Sequence, residues 1–190
     1  RFAYFTAGDL MSFGTMFTIL FTWYFQSLGI NLGFLPTALL AMPFGIIITI
    51  LYVLVKDKLV FSYYRTQKSP PVMLAMVSIG TMFVTQAIVR IVIGPFDRRF
   101  FDGEKFLLKA NEFKEMTGLN EGLTIKSTQV ITLVVTVIVV SILFWFLNKT
   151  KTGKSMRAYS DNEDLALLSG IDPKKVVMIT WIIAAILATI

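Results

Sequence analysis

The residues that could do chemistry in this chain are few, and the missing residue types narrow its function first. The sequence contains no histidine and no cysteine, so the commonest general base and metal ligand is absent, and so is thiolate chemistry. Gly153-Lys154-Ser155 matches the end of a phosphate-binding loop, but position 148 is Asn148 where that loop requires glycine. We therefore expect no catalytic residue, no metal site and no cofactor bound by this chain.

A charged stretch from residue 151 to residue 173 is the most informative part of the sequence, because it lies between two apolar segments. Ser160 followed by Glu163 fits a capping box and predicts a helix that begins after Ser160. Gly170 predicts where that helix ends. The helix would present leucines, namely Leu165, Leu167 and Leu168. A short helix with such a face needs a partner surface to cover it, although a solvated linker helix is the simpler alternative.

The composition and the apolar runs show which elements must position these residues. Of the 190 residues, 55% are apolar and 16% are charged, against about 25% charged in soluble domains. Each complete run approaches the roughly 20 residues that cross a bilayer as a helix. The sequence therefore predicts an all-α, polytopic transmembrane helical bundle with about five membrane segments and a short cytoplasmic coupling helix. The segments are residues 10–28, 35–55, 72–94, 130–147 and a fifth from residue 176.

Basic residues in the loops predict the orientation of these segments. Four basic residues lie in the loop 56–71 and six in the loop 148–175, which places both loops in the cytoplasm. The loop 95–128 carries six basic and six acidic residues and is predicted to be extracytoplasmic. Helical spacing from Glu104 to Met116 within it predicts either a helix on the membrane surface or a platform for a soluble delivery protein. Because lysine and arginine gather at segment ends, we do not expect nucleic-acid binding.

Polar residues inside the predicted membrane segments form a small set. Arg90 is the only charge that the prediction places within a complete segment, either reaching the outer interface or lying at the mouth of a pathway. Thr85 and Gln86 lie about one turn deeper. Small and hydroxyl residues recur every four positions and favour close helix packing over a polar pathway. These stripes are Ala41, Gly45 and Thr49; Thr81 and Thr85; and Thr128, Thr132 and Thr136.

Two parts of the sequence resemble the permease subunits of branched-chain amino-acid ABC importers. The first is the cytoplasmic signature, in which the matching residues are Gly153, Arg157, Ala158, Asp161, Asn162, Ala166, Gly170 and Ile171. The second is Phe5-Thr6-Ala7-Gly8-Asp9-Leu10-Met11-Ser12-Phe13-Gly14, which is similar to a Phe-Ala-x-Gly-acidic segment of that family. Thr6 and Thr15 depart from it, because alanine is usual at both positions.

The resemblance implies a single permease domain over residues 1–190, which we expect to be truncated at both ends. It implies two permease subunits that enclose a pathway in a bacterial or archaeal cytoplasmic membrane, a periplasmic binding protein outside, and two ATPase subunits inside that hold ATP and magnesium. The implied coupling residues are Gly153, Arg157, Ala158, Asp161, Asn162, Ala166, Leu168 and Gly170. The candidate pathway residues are Gly8, Ser12, Gly14, Thr85, Gln86 and Arg90.

The substrate implied by the resemblance is a branched-chain or related amino acid, and the permease is not itself an enzyme. The urea and short-amide branch of the same superfamily is the alternative substrate class. A secondary transporter is disfavoured, because the membrane segments lack the paired carboxylates that proton coupling uses. A membrane scaffold without transport activity would have no need for the coupling unit.

Overall fold

The computed structural model describes residues 7–29, 37–67, 69–94, 106–108 and 125–190, and in these ranges the chain is almost entirely helical. The first four helices are α1 (Ala7–Ser27), α2 (Ala38–Lys56), α3 (Ser62–Thr66) and α4 (Pro71–Ile93). They are followed by strands β1 (Phe106–Leu108) and β2 (Ile125–Lys126), and by helices α5 (Ser127–Lys149), α6 (Lys151–Asp161), α7 (Glu163–Leu168) and α8 (Pro173–Thr189). A π-helical turn, Asp57–Phe61, joins α2 and α3 into one continuous run.

Three of the described helical runs are long and apolar enough to cross a membrane: Ala38–Thr66, Val72–Ile93 and Thr128–Lys149. Helices α1 and α8, of 21 and 17 residues, coincide with the first and fifth predicted segments. The predicted all-α membrane fold is therefore confirmed. The end of the second segment is wrong, because the helix does not stop before Lys56 but continues to Thr66.

Helix α1 lies at the centre of the bundle, where it packs against α2, α8 and α4. Its Leu10 joins a buried apolar cluster with Val53, Phe61, Trp181 and Ala185. The rings of Phe61 and Trp181 lie 5.4 Å apart between centroids, which ties the π-helical turn to α8. The bundle therefore closes around α1, with the turn after α2 as part of its core.

Close approach of α1 and α2 depends on small residues at their interface. Ala41, Gly45 and Thr49 are buried, and a Cβ atom at Gly45 would lie 2.3 Å from the Thr18 hydroxyl oxygen. The Thr18 hydroxyl donates to the Gly14 carbonyl oxygen at 3.0 Å. The predicted packing role of the Ala41 stripe is confirmed.

The third hydroxyl stripe behaves differently from the stripe on α2. Thr128, Thr132 and Thr136 are exposed on α5, and none of the described apolar residues within this candidate span is buried. Each of the last two hydroxyls donates to the carbonyl oxygen four residues earlier, at 2.8 and 2.7 Å. Within the described part of the chain this stripe packs against no other helix, so its predicted packing role stays a prediction.

The sequence predicts a capping side chain before a proline at two helix starts, Ser69-Pro70-Pro71 and Asp172-Pro173, and the structure follows this pattern only in part. Pro173 is the first residue of α8, and the Asp172 carboxylate accepts from the Lys174 backbone N–H at 2.9 Å, as predicted. Pro71 likewise begins α4, but the residue before it, Pro70, occupies the cap position in an extended conformation. Ser69 is therefore not the cap, because a second proline separates it from the helix.

The predicted helix from Glu104 to Met116 is wrong at Phe106–Leu108. These residues form β1, which pairs antiparallel with β2, placing Phe106 opposite Lys126 and Leu108 opposite Ile125. The remaining part of the predicted helix lies outside the described residues. Strand pairing over this distance in sequence leaves no local signal, so apolar spacing alone favoured a helix.

We predict that Gly45→Val lowers thermal stability, because the added atoms would collide with Thr18 and with the α1 backbone behind it. Overpacking of this kind costs about 1–3 kcal/mol, which corresponds to a drop of roughly 5 °C in the unfolding midpoint. Thermal unfolding of the purified protein in detergent would measure it. Gly80→Val is the matched control, since nothing lies within 4 Å of its Cβ position. Equal midpoints for both variants would contradict the close contact.

Candidate functional site

A buried ion pair joins α1 to α2 in the interior of the bundle. The Lys56 ammonium nitrogen lies 3.4 Å from Asp9 Oδ2, with side-chain exposures of 5% and 0%. The same nitrogen lies 3.4 Å from the Thr85 hydroxyl oxygen on α4. One lysine therefore connects three helices, and two opposite charges are held away from solvent.

Aromatic and hydroxyl groups complete this cluster. The Tyr52 hydroxyl lies 2.7 Å from the Thr85 hydroxyl oxygen, and the Lys56 nitrogen lies 5.7 Å from the centre of the Tyr52 ring. On its other face the Tyr52 ring stacks on Phe13 of α1, with 4.1 Å between centroids. The cluster therefore combines an ion pair, a cation–π contact and a hydroxyl bridge.

Sequence reasoning missed both charged members of this cluster. Lys56 was assigned to a cytoplasmic loop, whereas it is buried, and Arg90 is consequently not the only charge among the membrane helices. Asp9 lies within the segment that resembles a permease family, but its carboxylate was not among the predicted site residues. The available signal was the apolar run Leu59-Val60-Phe61 beyond Lys56, which indicates that the helix continues past the charge.

The candidate pathway residues lie in different settings. Gly8 and Ser12 are on the exposed side of α1, whereas Gly14 is buried with its Cβ position 2.5 Å from the Thr189 hydroxyl oxygen. Thr85 is buried in the ion-pair cluster, while Gln86 beside it is half-buried. Arg90 is exposed near the end of α4. Among these six residues, Thr85 is the one that the structure brings into a polar cluster.

The predicted coupling region begins with a tight elbow between α5 and α6. The Thr150 hydroxyl accepts from the Gly153 N–H at 3.0 Å and donates to the Phe146 carbonyl oxygen at 2.7 Å. A Cβ atom on Gly153 would lie 2.4 Å from that carbonyl oxygen. The Arg157 guanidinium donates to the Asn148 side-chain oxygen across the same corner. Glycine is thus required here by contact with the preceding backbone.

The short helix α7 starts two residues later than predicted. Ser160 lies inside α6, and Asn162 is the cap, its side-chain oxygen accepting from the Leu165 N–H at 3.1 Å. The predicted capping role of Ser160 is therefore wrong. The helix ends as predicted at Gly170, whose φ of 78° suits glycine, with the Ile171 N–H donating to the Ala166 carbonyl oxygen at 3.1 Å.

The two faces of α7 differ sharply in burial. Ala166 is 3% exposed, whereas Leu168 is 85% exposed. Leu165 and Leu167 are also exposed, and so are Ala158 and Asp161 on the preceding helix. Helix α6 contacts both α7 and α8. The leucine face therefore lies open on a small helix that is anchored to the bundle through α6.

Tyr159 joins α6 to α7 by donating its hydroxyl hydrogen to the Glu163 carboxylate at 2.6 Å. Burial raises the pKa of Tyr159 to about 12, and the hydrogen bond and negative charge of Glu163 act in the same direction. The positive charge of Arg65, at the end of α3, acts on this pKa in the opposite direction and is the weakest of these influences. Tyr159 therefore remains a donor throughout the physiological pH range.

Among the residues that the structure describes, no three carboxylate, histidine or cysteine side chains gather into a group that could hold a metal ion. The polar groups found in these residues include the Lys56–Asp9 ion pair with its hydroxyls, the Asp57–Arg65 ion pair and caps at helix corners. Such groups can position helices and carry charge.

Comparison with known proteins gives one match. A protein-family model described as "Branched-chain amino acid transport system / permease component" matches residues 3–190. Neither the curated proteins nor the solved structures include a significant match to this chain.

We predict that Gly153→Ala opens the elbow between α5 and α6, because its methyl group would overlap the Phe146 carbonyl oxygen and the Leu147 backbone. Hydrogen exchange of the α6 amides should become at least about tenfold faster, as expected for the loss of one capped turn. Lys154→Ala, at the exposed neighbouring position, is the control. Unchanged exchange in Gly153→Ala would show that the corner tolerates a side chain.

We also predict that Tyr159 ionises near pH 12 in the folded protein, against 10.0 for an unperturbed tyrosine. The raised pKa contributes stability that is complete below pH 10 and is lost as the pH rises towards 12. The hydrogen bond between Tyr159 and Glu163 should therefore be insensitive to pH between about 6 and 9. An ultraviolet difference titration of the native protein against Tyr159→Phe would isolate this group. A midpoint near 10 would contradict the buried, hydrogen-bonded phenol.

Proposed function

The chain belongs to the permease components of branched-chain amino acid transport systems, and on that premise we propose that it couples amino-acid translocation to separate ATPase subunits. As a member of this ABC transporter family, it is a multi-pass, non-enzymatic membrane subunit. The proposal concerns its substrate, its partners and the way in which ATP hydrolysis reaches the membrane helices.

The observation that carries the coupling proposal is the exposed leucine face of α7. A six-residue helix cannot be stable by its own hydrogen bonds, yet this one has a side-chain cap at its start and a glycine stop at its end. Leu168 nevertheless extends from it almost fully exposed. Apolar side chains held in a fixed, exposed arrangement suit insertion into a groove of a soluble partner. We propose an ATPase subunit as that partner.

The elbow supplies a path for force from α7 to the membrane. Hydrogen bonds at Thr150 and Arg157 hold α6 to the end of α5, and contact between α6 and α8 holds it to the bundle. A displacement of α7 would therefore move α5 and α8 together as rigid elements. This suits a permease in which ATPase closure switches the pathway between outward and inward states.

The remaining partners follow from the same proposal. A second permease subunit, identical or related, would complete the pathway, and a periplasmic binding protein would deliver a branched-chain or related amino acid. ATP and magnesium would be held by the ATPase subunits, in a bacterial or archaeal cytoplasmic membrane. Coupling would use Gly153, Arg157, Ala158, Asp161, Asn162, Ala166, Leu168 and Gly170. The pathway candidates remain Gly8, Ser12, Gly14, Thr85, Gln86 and Arg90.

We predict that Leu168→Asp abolishes association with the ATPase subunits, because a charge would have to be buried in an apolar groove. Co-purification in mild detergent should fall at least about tenfold, and uptake in proteoliposomes should fall with it. Thr66→Asp is the control, since it adds the same charge at an exposed position at the end of α3.

Uptake of labelled leucine, isoleucine and valine by the reconstituted complex would test the substrate. The expected result is ATP-dependent accumulation that excess unlabelled branched-chain amino acid suppresses and urea does not. Suppression by urea or short amides would instead favour the other branch of the superfamily. Normal ATPase binding by Leu168→Asp would refute the role of α7 without affecting the substrate assignment.

A further inference from the structure

The ion pair between Asp9 and Lys56 is only loosely satisfied for a pair so deeply buried. The hydrogen bonds from the Lys56 nitrogen to the Asp9 carboxylate and to the Thr85 hydroxyl both measure 3.4 Å, whereas an ammonium and a carboxylate are commonly about 2.7–2.9 Å apart. Asp9 Oδ1 is buried and has no hydrogen-bond partner within the described part of the chain. A buried pair stabilises a fold only when its remaining lone pairs and protons are satisfied. This pair is therefore a poor permanent clamp.

The pair lies well inside the bundle. At about 1.5 Å per residue, Thr85 is about 20 Å from the start of α4 at Pro71 and about 12 Å from its end at Ile93. Lys56 is about 15 Å from the end of its helical run at Thr66. Opposite charges buried here favour one arrangement of α1, α2 and α4, and separating them requires each charge to gain another polar partner or water.

The helix that carries Lys56 has a built-in irregularity directly after it. The π-helical turn starts at Asp57 and ends at Phe61, and the Asp57 carboxylate pairs with Arg65 across it at 2.8 Å. π-Helical turns are uncommon and are often found at functional positions in helices. One continuous helix thus carries the buried Lys56 and, across its π-helical turn, the Asp57–Arg65 ion pair.

We propose that Asp9 and Lys56 are positioning residues for transport, which hold α1 against α2 and α4 in one state of the permease and separate in the other. This inference rests on the proposed function, since it requires a coupled change of state. The contact at Gly45 would remain closed and act as the pivot, because its close packing leaves no room for sliding. The helix ends near the ion pair would move apart.

Charge variants distinguish a positioning role from a structural one. Asp9→Asn and Lys56→Met each leave a buried charge without its partner, so uptake per assembled complex should fall at least about tenfold. The double variant Asp9→Leu/Lys56→Leu removes both charges and should assemble within about twofold of the native level. Its uptake per ATP hydrolysed should nevertheless fall about fivefold, because the switchable contact has become permanently apolar. Exchange of the charges, Asp9→Lys/Lys56→Asp, should restore uptake to within about twofold of the native level.

Normal uptake per ATP by the double leucine variant would overturn the proposal, since the pair would then be dispensable. Loss of uptake that the exchanged pair does not restore would also count against it. A merely structural pair would affect assembly and uptake equally in all four variants, whereas a positioning pair affects the ratio of uptake to ATP hydrolysis.

Spin labels provide a test that does not depend on whether these variants fold. The chain contains no cysteine, so cysteine pairs can be introduced directly at exposed positions. We expect the distance between labels at Met11 and Val55, near the ion pair, to increase by about 3 Å or more when ATP is trapped in the assembled transporter. Labels at Tyr24 and Leu40, beyond the Gly45 contact, are the control and should stay within about 1 Å.

Unchanged distances at both label pairs, in a complex that takes up amino acid, would overturn the ion-pair inference alone. Absence of uptake and of ATPase association with the native chain would instead count against the proposed function. The two failures are therefore separable within one reconstituted system.

Discussion

Polar groups within a lipid bilayer find no water, so each must be satisfied by the protein itself, and the rest of this structure depends on that constraint. The buried hydroxyls obey it locally: Thr22 and Thr49 donate to carbonyl oxygens four residues earlier. A threonine satisfied in this way behaves as a small side chain and allows helices to approach closely. The ion pair between Asp9 and Lys56 meets the constraint only in part, since Asp9 Oδ1 has no partner among the described residues, and it makes the packing of two helices dependent on charge.

Helices α6 and α7 are governed by a different balance, because most of their residues are exposed and the free-energy cost falls on their apolar groups. Short helices such as α7 persist when both ends are satisfied by side chains and by glycine. Exposure of Leu168 to water costs free energy in the isolated chain, and burial of this side chain against a partner would regain it. Order in the backbone together with exposure of the leucines is what favours the proposed docking role of α7 over a linker.

Much of the architecture could be predicted from the sequence, because membrane length, proline and glycine act locally. Gly170 and the Asp172-Pro173 pair were placed correctly for this reason. Ser160 was predicted as the cap because its spacing to Glu163 is right, but Asn162 offers a cap two residues on, and sequence spacing does not rank the two. Lys56 was misplaced because a charge normally marks the end of a membrane segment. Its partner Asp9 is distant in sequence, and only folding brings the two together.

The helical run from Ala38 to Thr66 is longer than a bilayer requires. It has 29 residues, whereas about 20 suffice to cross the hydrocarbon core. The residues beyond the π-helical turn, Ser62–Thr66, include Arg65, whose ion pair with Asp57 bridges that turn. Lys56, directly before the turn, pairs instead with Asp9 of α1. The helix therefore carries one ion pair that is internal to it and a second that makes its position against α1 depend on charge.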